Sequence, residues 1–256
     1  MNIYGIKDSA NFTIKYKSGA NKGKVFVYAD YATVSTNEWT SEQVYAKSKN
    51  VNAIRWDYGR ASTLKVDMEI FDLKWIGMLF GSEFVTGDKD ILKRAVATVG
   101  ENGTVALPEG VVEGSLSVYV LDDDGLTNLS ELTVSTGEVT TGTYKMGTDN
   151  KSITVHTDIK KGDKLAFFYL KNVKNVKTLT INADKYPENF EIFADTMMRS
   201  TDGNDEFVQI NYLNVKPKSQ FTLTMDASNI TTMSVEYDIL KDTSSSDMAT
   251  YSIITE

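Results

Sequence analysis

Three features of this chain have the residue types to do chemistry: an acidic run, a single imidazole and several glycine-rich turns. Asp122-Asp123-Asp124-Gly125 has the acids and the glycine of a calcium loop. An EF-hand needs acids at alternating positions and a Glu at a set distance past the glycine, and Val120 and Glu131 miss that register. The run reads as a β-turn. Asp202, Asp205 and Glu206 flank an Asp-Gly hairpin signal and read the same way. His156 is the one histidine, so a Ser-His-Asp triad or a multi-His metal site has almost nothing to be built from. Gly81-Ser82-Glu83-Phe84 and Gly100-Glu101-Asn102-Gly103 lack the Lys and the strand–helix setting of a phosphate loop. Carboxylate pairs of the kind glycosidases use are abundant, but no pair stands out, and three tryptophans offer no evident sugar platform. The expectation is a chain with no catalytic residue, no metal and no cofactor, and hence not an enzyme.

Composition narrows the class further. The 256 residues suffice for one large β domain or two smaller ones. With 41% hydrophobic and 24% charged residues the chain reads as globular rather than disordered. It has no cysteine, which removes disulfides and thiolate chemistry. A net charge of −8 disfavours a surface made to grip phosphates. No apolar run approaches a membrane span, and Met1-Asn2-Ile3-Tyr4-Gly5-Ile6-Lys7-Asp8 lacks the pattern of a signal peptide, so folding in a reducing cytoplasm is expected.

The elements that must position these residues are strands. Asn11-Phe12-Thr13-Ile14-Lys15-Tyr16 alternates, residues 17–23 form a flexible turn, and residues 24–29 return as a hairpin. Residues 35–43 are polar, residues 46–59 show little periodicity, and Ile54-Arg55-Trp56-Asp57-Tyr58 reads as a short strand. Residues 62–71 form a strong strand, with Leu64, Val66, Met68 and Ile70 on one face and Thr63, Lys65, Asp67, Glu69 and Phe71 on the other. Asp72 as N-cap and Gly81 as C′ bound a short apolar helix holding Leu73, Trp75, Ile76, Leu79 and Phe80. Gly77 inside it costs roughly 1 kcal/mol relative to Ala, so packing must hold it, either as a plug on a sheet or as an interface helix. From about Ala95, turn signals recur at intervals of about ten residues between short strands at 104–107, 116–121, 152–156 and 165–170, the pattern of a small immunoglobulin-like sandwich. Further strands are expected at 176–181, 190–199, 207–215, 221–225 and 233–241, with turns at 200–205 and 216–218.

That last third carries a resemblance. Lys185-Tyr186-Pro187, Phe190-Glu191-Ile192, the hairpin from Arg199 through Asp202-Gly203, the strand ending at Lys216, Phe221-Thr222-Leu223-Thr224-Met225 and Asp238-Ile239-Leu240-Lys241-Asp242 resemble the C-terminal half of the major tail tube proteins of tailed bacteriophages. Thr63-Leu64-Lys65-Val66-Asp67-Met68-Glu69-Ile70 followed by residues 72–81 is similar to the strand-then-helix unit of the same family. The match covers about two thirds of the chain, in apolar and turn patterns rather than in invariant chemistry.

The resemblance implies an all-β fold with one or two short helices. Residues 1–95 and 175–256 would form a tail-tube-type β-sandwich or barrel, and residues 96–174 an inserted Ig-like β-sandwich displayed outside. It implies a structural virion protein of the phage tail, made in the bacterial host's cytoplasm. Six copies would close a ring, rings would stack into a tube, and DNA would pass through the lumen without specific binding. Tail sheath, tape measure and baseplate proteins are the implied partners, with no membrane. Asp67 and Glu69 become candidate lumen-facing acids, with the opposite facing left open. Lys17, Ser18, Gly19, Asn21, Lys22, Glu38, Trp39 and Glu42 become candidate subunit or ring contacts, with an ordinary solvated surface as the alternative. Plain solubility explains the acidic balance as readily as a DNA-repelling wall does. Two other functions stay open: another ring-forming tail or baseplate component, and a monomeric carbohydrate-binding or adhesin module. The latter would gather Tyr28, Tyr31, Trp39 and Tyr45 into one aromatic site.

Overall fold

The alternation read from the sequence resolves into sixteen strands and one short α-helix in the computed structural model, which describes residues 3–6, 8–148, 150–220 and 227–254. In chain order these are β1 (Tyr4–Ile6), β2 (Asn11–Tyr16), β3 (Val25–Ala29), β4 (Ala32–Ser48), β5 (Val51–Met68) and helix α1 (Lys74–Leu79). Next come β6 (Val85–Thr98), β7 (Thr104–Ala106), β8 (Ser117–Leu121), β9 (Asn128–Val134), β10 (Thr143–Met146), β11 (Ser152–Val155) and β12 (Lys164–Thr178). The chain closes with β13 (Phe190–Ser200), β14 (Asp205–Pro217), β15 (Met233–Ile239) and β16 (Ala249–Ile254). The fold is thus nearly all β, and it divides into two units, Met1–Phe84 with Leu179–Glu256, and Val85–Thr178.

The first unit is a nine-stranded sheet in the order β3-β2-β13-β14-β15-β5-β4, with β1 added to β13 and β16 to β14. Period-2 alternation places its core. Met233, Val235, Tyr237 and Ile239 of β15 are buried, while Ser234, Glu236 and Asp238 between them point away. Phe12 and Ile14 of β2, Leu64, Val66 and Met68 of β5, and Ile192 of β13 join the same cluster. Burial of the Tyr237 hydroxyl, which donates to Met78 Sδ at 3.9 Å, pushes its pKa well above the ordinary tyrosine range.

Helix α1 closes this core as a plug. Trp75, Met78 and Leu79 are buried, Ile76 is half-buried and Leu73 is exposed. The Trp75 indole donates to Tyr31 Oη at 2.9 Å, satisfying a polar group that burial would otherwise strand. Asp72 acts one residue earlier than expected: Leu73 occupies the N-cap, and the Asp72 carboxylate accepts the Lys74 N–H at 2.9 Å. Gly81 follows the helix at φ +59°, where a Cβ would lie 2.2 Å from the Tyr186 carbonyl oxygen. Gly77 is required by contact rather than by dihedral, since a Cβ there would lie 2.6 Å from the Ser82 carbonyl oxygen.

The second unit is a seven-stranded arrangement in the order β6-β12-β8-β9-β10-β11-β7, antiparallel except for the β9–β10 pair. Its core gathers Val118, Leu132, Ile153, Leu165 and Phe167. The β6–β12 ladder runs from Lys164 opposite Thr98 to Thr178 opposite Val85, so the chain enters and leaves this unit on two paired strands. Asn175, at φ +56°, sits in the bulge that interrupts the ladder.

Several expectations need correction. Residues 176–178 finish β12 in the second unit, and no strand continues through Ile181. β5 stops at Met68, so Ile70 is 67% exposed instead of sharing the core face. The polar stretch at 35–43 is strand, and so is the aperiodic stretch at 46–59 apart from the turn at Lys49 and Asn50. Lys216 and Pro217 lie at the end of β14 rather than in a turn, with Pro217 at the last position, where its missing N–H is tolerated. Strands β1, β6, β9, β10 and β16 were not expected. The strand expected at 221–225 lies outside the described residues.

Helix propensity alone says that Gly77→Ala stabilises by about 1 kcal/mol. The contact with Ser82 says the reverse, and a fall in urea-unfolding stability is the expected result. Trp75→Ala should cost about 3–5 kcal/mol in the same measurement.

Candidate assembly surface

Two surfaces of the first unit stand out, both made by β4 and β5. At the root of this hairpin, β5 lies between β4 and β15, pairing with β15 from Ser62 opposite Ile239 to Met68 opposite Met233. The outward residues of the three strands form an acidic face. Asp67 stands opposite Ser234, Lys65 opposite Glu236, and Thr63 opposite both Asp238 and Glu38. Lys65 Nζ bridges to Asp67 at 3.2 Å, and Lys218 Nζ lies 3.3 Å from Glu236 and 3.7 Å from Asp238. The face thus carries four carboxylates, Glu38, Asp67, Glu236 and Asp238, against two ammonium groups, which pair with the last three. Of the two candidate lumen acids, Asp67 belongs to this face, whereas the exposed Glu69 lies past the end of β5.

Beyond Ser62 the hairpin continues as a two-stranded arm. From Ala61 to Val51, β5 pairs only with β4, and nearly every residue of both strands is exposed. Lys49 and Asn50, both at positive φ, make the tight turn at its tip, the backbone geometry favoured for two-residue hairpins. A bulge separates root from arm: Thr40 pairs with Ala61 and Glu42 with Tyr58, leaving Gly59 and Arg60 opposite Ser41. Gly59 takes φ +59°, which suits glycine in this kind of bulge.

The extra residue changes what each face carries. Counting by twos from the buried Leu64 would put Tyr58, Trp56 and Ile54 on the core face. The bulge moves them to the other one, because a shift of one residue exchanges the faces. The arm thus has an apolar face, with Val44 opposite Trp56, Ala46 opposite Ile54, Tyr58 opposite Glu42 and Val51 opposite Ser48. Val44, Val51, Ile54, Trp56 and Tyr58 are each at least half exposed. The opposite face is polar and internally paired: Tyr45 Oη donates to Gln43 at 2.7 Å, and Arg55 donates to Asp57 at 3.1 Å.

The remaining candidates are scattered around these surfaces. Glu38, Trp39 and Glu42 are strand residues of β4, and the Trp39 indole donates to Asn37 at 2.6 Å. In the 17–23 turn, Ser18, Gly19 and Lys22 are exposed and Asn21 is half-buried, accepting from Lys24 Nζ at 3.1 Å. Lys17 is engaged within its own chain, 2.7 Å from Asp242 Oδ1. That ion pair, helped by the Ser244 hydroxyl and N–H, holds the Asp242 carboxyl well below the usual carboxylate range. Leu73, Trp75, Ile76, Leu79 and Phe80 belong to the plug helix and its ends, with Trp75 and Leu79 turned inward.

The four aromatics proposed for a binding module do not converge. Tyr31 is held by Trp75, and Trp39 and Tyr45 are six residues apart on β4, roughly 20 Å along the strand. The Asp122-Asp123-Asp124 run is a turn in which the Asp124 carboxylate accepts the Leu126 and Thr127 N–H groups and the Thr127 hydroxyl, which lowers its pKa. His156 Nδ1 meets both Asp158 at 2.8 Å and Thr141 Oγ1 at 3.5 Å. Because one nitrogen makes both contacts, no nucleophile–base–carboxylate relay is formed. Asp205 takes two hydrogen bonds from Arg199, each 2.6 Å, across the 200–204 turn.

Sequence reasoning missed the apolar face of the arm and the acids of β15, Glu236 and Asp238. The first was written in the alternation Ile54, Trp56, Tyr58, whose phase could not be assigned without the bulge. The second was written in Ser234, Glu236 and Asp238, which alternate with buried residues.

Replacing Lys17 by Met removes the partner that depresses Asp242. Because the folded-state pKa is depressed, the pair stabilises fully above about pH 4, the ordinary carboxylate value. Its contribution fades as pH falls below that. Thermal unfolding should show Lys17→Met less stable than the unmodified protein from pH 5 to 8, with the difference narrowing in stronger acid. A constant difference down to pH 2 would contradict the assignment.

Comparison with known proteins identifies the family. The model of the YomU/Tube protein family matches residues 4–254. The chain is 23% identical over 251 residues to a tail tube protein of Bacillus phage SPR, covering 95% of this chain and 86% of that relative. Among the described residues, no helix is long and apolar enough to cross a membrane. The resemblance drawn from the strand and turn order is borne out: this chain belongs to the YomU/Tube protein family, as a structural tail tube protein.

Proposed function

We propose that the chain is the major tail tube subunit of a phage, that six copies close a ring, and that rings stack into a conduit for DNA. The observation that carries this reading is the β4–β5 arm, a long ribbon that, among the described residues, no other strand of the same unit pairs with beyond Ser62. A two-stranded hairpin alone is marginal in water, and in this reading another copy of the chain supplies its cover. Stacking joins two different surfaces head to tail, the kind of contact that propagates into filaments.

In this reading the acidic face around Asp67, Glu236 and Asp238 lines the passage. Carboxylates along a wall repel phosphates and let DNA slide instead of sticking. The second unit is an inserted Ig-like decoration on the outside. Its paired entry and exit strands support this, because such a unit is removable without cutting the first sheet. Tail sheath, tape measure and baseplate proteins are then its neighbours in the virion.

Negative-stain electron microscopy across a range of concentrations should reveal hollow rings or tubes, and a dispersed monomer throughout the range would contradict the reading. Replacing residues 85–178 by a short linker should leave those assemblies intact, whereas loss of all rings would show that the unit is part of the tube wall. Tubes carrying Glu236→Lys with Asp238→Lys should retain DNA at low salt and release it as salt rises. Equal retention by unmodified tubes would argue against an acidic lumen.

A further inference from the structure

The reading above leaves open how the arm is held, and its two faces are chemically unequal. The polar face has satisfied itself through Tyr45 with Gln43 and Arg55 with Asp57. The other face presents Val44, Ile54, Trp56 and Tyr58 bare to water. Contiguous exposed apolar surface on a folded chain marks a contact site. The phase of this ladder is set by one backbone feature, the Gly59 bulge, which takes residues with core parity and turns them outward just where β15 stops covering β5.

We infer that the apolar ladder is the docking face of the arm, that its occupant is a second copy of this chain, and that the Gly59 bulge decides which face docks. The inference rests on the tube reading, which supplies the second copy. It adds a direction: Val44 and Trp56 are covered in the assembly, while Gln43 and Arg55 stay in solvent. Without the bulge the same residues would lie on the other face, and the arm would have to approach its neighbour from the opposite side.

The absence of cysteine allows a direct test. Val44→Cys and Gln43→Cys place single thiols on adjacent, exposed residues of opposite faces, so neither variant disturbs the core. Each is reacted with a maleimide as dispersed protein and as the assembly formed at high concentration, with ring formation followed by microscopy. The expected result is that assembly slows the Val44→Cys thiol by about tenfold or more, as water is excluded from an interface core, and leaves the Gln43→Cys thiol unchanged. Rings in which both thiols react alike, or in which only Gln43→Cys is protected, would overturn the face assignment and leave the tube reading standing. Failure of the unmodified chain to assemble at any concentration would overturn the tube reading and this inference with it.

Discussion

Strand β5 must satisfy two environments within one run of backbone. From Ser62 to Met68 it lies between β4 and β15 and sends Leu64, Val66 and Met68 into the core. From Ala61 to Val51 it has one neighbour and no cover, yet it carries aromatic and β-branched residues at the same spacing. A strict period of two would hold both sets on one face. One extra residue at a bulge separates them, so that the core ends and an outward apolar face begins without a loop between the two. The rest of the first unit is arranged around that strand: β15 fixes its root, α1 plugs the core beneath it, and the acids beside Lys65 occupy the face it turns away from the core.

Polar satisfaction follows the same division. In the core, the buried Trp75 and Tyr237 find partners from distant parts of the chain, Tyr31 and Met78. On the arm, Tyr45 and Arg55 pair with Gln43 and Asp57, each two positions away on the same strand, a local arrangement that needs no cover. These polar pairs are thus made within the isolated subunit, while the apolar residues of the other face are left exposed. The proposed docking of the arm rests on this asymmetry.

What the sequence disclosed follows from where each strand sits. β2, β3, β13, β14, β15 and the root of β5 were all expected as strands, and in β2 and the root of β5 the alternation was legible residue by residue. β4 and the outer part of β5 have no buried face; Thr, Ser, Glu and Gln fill much of β4, and the run at 35–43 read as a polar connection. β6 was hidden in the same way, since Gly87-Asp88-Lys89-Asp90 offers no apolar phase. The bulge at Gly59 interrupted the count through Ile54, Trp56 and Tyr58 and left them as an isolated short strand. Asp67 and Glu69 were picked out by charge on a recognisable strand, but the acids that share a face with Asp67 come from β15, far away in sequence, and only the pairing register brings them together. Gly77 was read as a cost in helix propensity; its cause, the approach of the Ser82 carbonyl, lies in tertiary structure.

The central claim is that the arm is open in the single subunit and closed in the assembly. Hydrogen–deuterium exchange tests it most directly, comparing dispersed and assembled protein by peptide. The account predicts that amides of residues 42–58 exchange quickly in the dispersed subunit and become strongly protected on assembly, while those of residues 62–68 are protected in both states. Unchanged exchange across residues 42–58, in preparations where rings are plainly formed, would contradict it.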